Sequence, residues 1–300
     1  MSKKLMIALA ALMLVSPAAA DVPERLDFSV SPSKRDGQVQ LSLRYRTDRS
    51  DSRHSRPVPF ADLQGLSAAQ LASTSGGPAR FRIVREAGSL DCNGVFKGGR
   101  GTGDCRFAPN AGYAAQLAKR GIGAPTEDQQ FQLTMVGSSL ADIDELMRQG
   151  YPRPPVGQML EMSIHGVNAA YLQQLAKAGY NAGKVAKLVE MRIHGVTPEF
   201  ALELASIGPA YRNLPIDQLV EMRIHGVTPD EVRAYAKAGY PNLTRKQLIN
   251  MAIHNVSPTY VSDMRAAGYR NLTPEQLVNM RIHGVNAEMA RVARTAVRQN

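Results

Sequence analysis

The sequence predicts an α+β chain: a small N-terminal antiparallel β module, then an α-solenoid of two-helix repeats about 29 residues long. Three observations predict it. Apolar residues follow a period of two between Arg25 and Phe107. Five histidines, His165, His194, His225, His254 and His283, then recur at spacings of 29, 31, 29 and 29. A glycine, usually followed by tyrosine, recurs at Gly121, Gly150, Gly179, Gly208, Gly239 and Gly268, and both series place the two extra residues near Gly208-Pro209-Ala210-Tyr211. A fixed period of this length is the signature of stacked repeats.

Residues 1–20 read as a secretory leader. Lys3 and Lys4 precede an apolar run from Leu5 to Val15 and the small residues Ala18-Ala19-Ala20, with cleavage expected after Ala20. The run is shorter than the roughly 20 residues that span a bilayer. An exported protein, periplasmic or secreted, is expected, and losing Lys3 and Lys4 takes its formal charge from +10 to +8. A modest cationic excess outside the cytoplasm leans toward an anionic polymer, a lipid surface or an acidic protein rather than nucleic acid.

Residues 21–107 form the expected β module. Gln38 to Arg46 alternates polar and apolar without a break, and Leu26–Ser31 and Arg80–Arg85 look similar, so each is expected as a half-buried strand. Ser67–Leu71 suggests a helical turn; the polar stretch Arg49–Pro57, with His54, is expected as a solvated loop. Gly98-Gly99 makes a two-residue hairpin turn, which sets Lys97 opposite Arg100 and Cys92 opposite Cys105, at a pair where the strands come closest. A cross-strand disulfide follows, and the pair lacks the C-x-x-C spacing of a redox site. The glycines from Gly98 to Gly103 belong to the hairpin, since a phosphate loop needs a helix opening directly after it.

The solenoid is expected over residues 108–300, as a half repeat (108–122) followed by six units. In each unit a first helix opens at a cap such as Thr273-Pro274-Glu275-Gln276 and stops at the glycine after the histidine. A second opens at Thr197-Pro198, Thr228-Pro229 or Ser257-Pro258 and stops at the Gly-Tyr marker, whose tyrosine packs back on the last turn. Leu219, Val220, Met222 and Ile224, repeated as Leu248, Ile249, Met251 and Ile253 and as Leu277, Val278, Met280 and Ile282, are expected as core. The final helix, with Arg291, Arg294 and Arg298, reads as a polar cap, and the sequons at Asn242 and Asn271 read as repeat punctuation.

The histidine row invites a metal, but neighbouring helices sit roughly 8–10 Å apart and zinc needs each nitrogen about 2 Å away. Helix capping is the expected role, helped by Glu161, Glu190 and Glu221 one turn before His165, His194 and His225; pH sensing is the alternative. No metal, cofactor or catalytic constellation is legible.

The text GY-x-NLTPEQLV-x-MRIHGVTPE resembles the helical repeats of bacterial envelope proteins that are often appended to BlaR-type regulatory membrane metallopeptidases. The resemblance covers about Pro109 to Asn300. It implies an envelope accessory or regulatory module. It does not extend to peptidase activity, because H-E-x-x-H and membrane-spanning helices are missing.

The expected function is therefore that of a non-enzymatic exported scaffold that binds an envelope protein along an extended repeat face. The candidate face is the position that varies beside the fixed core: Ser163, Arg192, Arg223, Ala252 and Arg281. A pH- or stress-responsive sensor using the histidines, and a binder of anionic envelope polymer, are the alternatives.

Overall fold

A computed structural model describes residues 26–47 and 50–298, so the leader lies outside the described residues. The chain divides into two compact units, one running to Leu140 and the other starting at Ala141.

The first unit is built on a six-stranded antiparallel sheet of order β3-β2-β1-β6-β5-β4. The strands are β1 (Leu26–Pro32), β2 (Gln38–Thr47), β3 (Ser50–Pro59), β4 (Gly77–Val84), β5 (Gly88–Lys97) and β6 (Arg100–Pro109). Alternation puts Leu26, Phe28, Val30, Val39, Leu41, Leu43, Phe81 and Ile83 in one core. The short helix α1 (Ala68–Ala72) opens on a capping box at Ser67, and at its C-terminal end the carbonyls of Ser73 and Leu71 accept hydrogen bonds from Gly98 and Gly99 of the hairpin turn. That turn sets Lys97 opposite Arg100 and Cys92 opposite Cys105, as the spacing requires. The two buried cysteines form the disulfide, with Cα atoms 4.0 Å apart.

Two sequence expectations change here. The stretch expected as a loop is β3, paired with β2 from Gln38–Pro59 to Thr47–Ser50. Its polarity is that of an edge strand: prolines 57 and 59 and exposed Arg53 and His54 are tolerated where one side of the ladder has no further neighbour. Of the glycines assigned to hairpin geometry, only Gly98 and Gly99 lie in the turn, with φ of 57° and 80°. Gly101 and Gly103 are bare so that aromatic rings can lie across them. A Cβ on Gly101 would sit 2.3 Å from the Phe96 ring, and one on Gly103 would sit 2.1 Å from the Asn93 carbonyl and 2.7 Å from the Phe28 ring.

Two helices, α2 (Ala111–Lys119) and α3 (Glu127–Val136), complete this unit. Phe131 and Met135 of α3 join the sheet core, and Phe131 meets Phe107 edge-on with centroids 5.3 Å apart. Buried Gln130 donates to the carbonyls of Ala87 (2.7 Å) and Asn110 (2.6 Å). Both carbonyls also accept main-chain bonds, Ala87 from Asn110 N–H and Asn110 from Tyr113 N–H, so the side chain of Gln130 ties the strand junction to α3 and is itself satisfied.

The second unit is helical: α4 (Leu140–Arg148), α5 (Val156–His165), α6 (Ala169–Lys177), α7 (Val185–Ile193), α8 (Pro198–Ile207), α9 (Ile216–Ile224), α10 (Pro229–Lys237), α11 (Arg245–Ile253), α12 (Pro258–Ala266), α13 (Pro274–Ile282) and α14 (Ala287–Arg298). Thr197, Thr228, Thr244, Ser257 and Thr273 cap their helices as the text of the repeat requires. First helices pack on first helices (α5 on α7, α7 on α9, α11 on α13), and second on second (α8 on α10, α10 on α12, α12 on α14). Helices this short are marginal alone and depend on that packing. The described residues contain no helix long and apolar enough to cross a membrane.

Ile224, Ile253 and Ile282, expected as core, are 55%, 51% and 56% exposed. At 100° per residue, Ile224 lies roughly 120° from the centre of the arc formed by Leu219, Val220 and Met222, so the core cannot reach it. The terminal helix also departs from a purely polar cap, since Met289 and Val292 are exposed.

Candidate binding edge of the helical repeats

The edge is built where each first helix ends. At His194, His225, His254 and His283 the helix stops on the histidine, and the next residue turns left-handed: Gly195, Gly226, Asn255 and Gly284, with φ of 68°, 73°, 55° and 72°. In α5 the histidine is the last helical residue and Gly166, at φ 70°, is the cap. Glycine adopts this region freely, and asparagine is the side-chain-bearing residue that tolerates it best. The valine N–H that follows bonds back to the methionine carbonyl, as Val196 to Met191 (2.7 Å) and Val227 to Met222 (2.9 Å). That bond uses neither the histidine carbonyl nor the valine carbonyl, and both are left for other donors.

Neighbouring repeats supply the donors. Arg192 of α7 donates Nε–H to the His165 carbonyl of the preceding repeat at 2.9 Å, and Arg223 of α9 does the same to His194 at 3.3 Å. In the other direction, Tyr171 donates its hydroxyl to the Val196 carbonyl (3.2 Å), and Tyr260 donates to that of Val285 (2.9 Å). The guanidinium also lies over the aromatic ring that precedes it: Arg192 over Tyr171 at 4.9 Å, Arg223 over Phe200 at 5.1 Å, Arg281 over Tyr260 at 5.0 Å. At the Arg192–Tyr171 junction both bonds are present and the two repeats close on each other; the Arg223–Phe200 and Arg281–Tyr260 junctions have one hydrogen bond each beside the ring contact.

The variable position obeys a rule across this edge. An arginine follows wherever the third residue of the preceding second helix is aromatic in this unit: Tyr171, Phe200 and Tyr260. Where that residue is Asp142 or Glu231, the position holds Ser163 or Ala252. The carboxylates have other work there: Asp142 accepts from Ala169 N–H at 2.7 Å, and Glu231 completes the capping box on Thr228. The missing tyrosine is replaced one turn later by Tyr235, whose hydroxyl reaches the Val256 carbonyl at 2.5 Å. The residues read as a free binding face are thus mainly inter-repeat clasps. Arg192 and Arg223 are half-buried, and Arg281 is exposed.

A second tyrosine row runs along the Gly-Tyr marker. Its main-chain N–H closes the helix end, as Tyr180 to the Leu175 carbonyl (3.0 Å). The side chain of the marker, however, reaches into the next repeat: Tyr240 donates to the Leu272 carbonyl (2.6 Å), and Tyr211 to that of Leu243 (2.5 Å). Tyr211 therefore takes the marker role, and the two inserted residues are absorbed in the short turn Pro209–Tyr211 before it. Burial pushes the Tyr171 and Tyr235 hydroxyls up to about 12.

At the histidines the edge uses the main chain; the rings of His165, His194, His225 and His254 are half-buried, and that of His283 is exposed. The glutamates one turn earlier serve other partners: Glu190 pairs with Lys187 (2.5 Å), and Glu221 pairs with Arg245 of α11. Among the described residues, no three His, Cys, Asp or Glu gather closely enough to hold a metal ion. The signal that would have found the clasps is the pairing of arginine with the aromatic residue 21 to 23 positions earlier. No family profile, curated protein or solved structure matches this chain.

Proposed function

We propose that this chain is an exported, non-enzymatic α-solenoid that acts as a protein-interaction scaffold in the cell envelope. The observation that carries the proposal is the row of side chains that reach between successive repeats at the helix ends, Arg192 and Arg223 back to histidine carbonyls and Tyr171, Tyr235 and Tyr260 forward to valine carbonyls. A row of rigidly spaced units presents a long surface to an extended partner. The buried Cys92–Cys105 disulfide suits an oxidising compartment, in keeping with the leader-like first 20 residues. The repeat text resembles that of envelope proteins, which points the same way.

The test is to mix the purified protein with native envelope extract and recover complexes after mild crosslinking. A stoichiometric protein partner is expected. Recovery of lipid or polysaccharide alone, or of nothing, contradicts the scaffold reading.

A further inference from the structure

The residue before each repeat histidine is an isoleucine, and none of the five is covered. Ile164, Ile193, Ile224, Ile253 and Ile282 are 62%, 56%, 55%, 51% and 56% exposed. They make up half of the ten large apolar side chains that are exposed among the described residues, and they recur at the histidine spacing. Singly exposed apolar residues need no explanation; these five instead occupy the same position at the end of successive first helices, and apolar surface gathered in that way marks binding sites.

The stripe is also cationic. Arg192, Arg223 and Arg281 each precede an isoleucine, and their contacts are a main-chain carbonyl, an aromatic ring or both, which leave the positive charge uncancelled. The carboxylates nearest the isoleucines of α7 and α9 are paired, Glu190 with Lys187 and Glu221 with Arg245. Asp217, which shares Lys187, and Glu275 lie in the first turns of their helices, away from the isoleucine end, and Glu161 at the first rung is the exception. At three of the five rungs the charge beside the isoleucine is thus a guanidinium with no ion pair among the described residues, which favours an occupant that combines acidic and apolar residues.

Spacing selects its shape. Stacked helices lie roughly 8–10 Å apart, and three residues of polyproline II advance about 9.3 Å. A β-strand returns to the same face every ~6.7 Å and falls out of step after one rung. Five rungs then match about 12 residues of an extended chain with an apolar side chain at every third position. A membrane surface fits less well: the chain has no tryptophan, and the isoleucines are only half exposed, whereas interfacial elements project large aromatic and leucine side chains.

We infer that the isoleucine ladder, flanked by Arg192, Arg223 and Arg281, is the docking groove for an extended acidic peptide segment with apolar residues in every third position. This rests on the scaffold reading and supplies its site and partner class. The probe is fluorescein-labelled (Leu-Pro-Glu)4, titrated with the purified protein and followed by anisotropy. Saturable binding is expected, with at least tenfold weaker binding of (Leu-Pro-Lys)4 and of a peptide of the same composition with leucines at alternate positions. The triple variant Ile193→Ser/Ile224→Ser/Ile253→Ser should bind at least tenfold more weakly with an unchanged thermal midpoint. Ile224→Ser alone should bind about threefold more weakly, and Leu202→Ser, at an exposed leucine of α8, should bind as the parent does. Absence of saturable binding overturns the inference, as does equal affinity in the triple variant or for the lysine peptide. Ladder-dependent binding to phosphatidylglycerol vesicles in place of the peptide also overturns it. If the triple variant still captures the same envelope partner, the scaffold stands and this groove is not its site.

Discussion

Replacing Arg192 with alanine removes the shorter of the two arginine–carbonyl bonds between repeats. Its Nε–H bond to the His165 carbonyl is 2.9 Å long, and its guanidinium lies 4.9 Å from the Tyr171 ring centre. A charged donor to a carbonyl contributes about 1.5–3 kcal/mol, and a partly exposed cation–ring contact adds about 0.5–1 kcal/mol. Because Arg192 is half-buried, the lower part of that range applies, giving a loss of about 2–3 kcal/mol. Arg223→Ala, with a 3.3 Å bond, should lose about 1–2 kcal/mol. Arg281→Ala, with only the ring contact and an exposed side chain, should lose about 0.5 kcal/mol. Urea unfolding followed by circular dichroism and by tyrosine fluorescence measures the series, provided the two probes coincide. Arg153→Ala, at an exposed arginine, is the control. If Arg192→Ala falls within about 0.3 kcal/mol of that control, or the order of the three is reversed, the clasp does not hold the repeats together.

Four further outcomes are expected. With Tyr171 and Tyr235 raised to about 12 by burial, their stabilising contribution is complete below the unfolded value near 10 and is lost as pH rises toward 12. Tyr171→Phe should show a shallower alkaline decline in thermal midpoint. Glu145 is held down at about 2 by hydrogen bonds from Arg148, with Gln149 and Gln173 adding to it, so its contribution is present above about pH 4.3 and fades as pH falls to 2; Glu145→Gln should flatten that acid limb in a pH series of urea melts. Gly195→Ala places a side chain at φ 68° with its Cβ 2.9 Å from the Arg223 guanidinium, and should cost about 1–2 kcal/mol in the same melts. Replacing Cys92 and Cys105 together with serine should cost the sheet unit about 3 kcal/mol, read from β-strand amide exchange, while exchange in α7 to α13 stays unchanged.

Most of the architecture was legible because it rests on local chemistry. Hairpin counting from Gly98-Gly99 located the disulfide, and the caps at Thr197, Thr228, Ser257 and Thr273 located helix starts. What was hidden depends on neighbours. Strand β3 carries an edge composition, which looks like a loop until its partner β2 is known. Helix α3 matches the repeat text but gives Phe131 and Met135 to the sheet, a choice made by the facing surface rather than by its own sequence. The isoleucines read as core because residue type outweighed angular position. The arginines read as a free surface because their acceptors, the carbonyls of His165 and His194, have no side-chain letter in the sequence.

In the proposed function the exposed edge of the repeats meets a protein partner in the envelope. A photo-crosslinking amino acid at Ile224, compared with one at Leu202, both exposed, tests it in native envelope. One discrete protein adduct is expected from position 224 and none from 202. Equal labelling from both positions, or adducts of lipid and polysaccharide alone from 224, would contradict it.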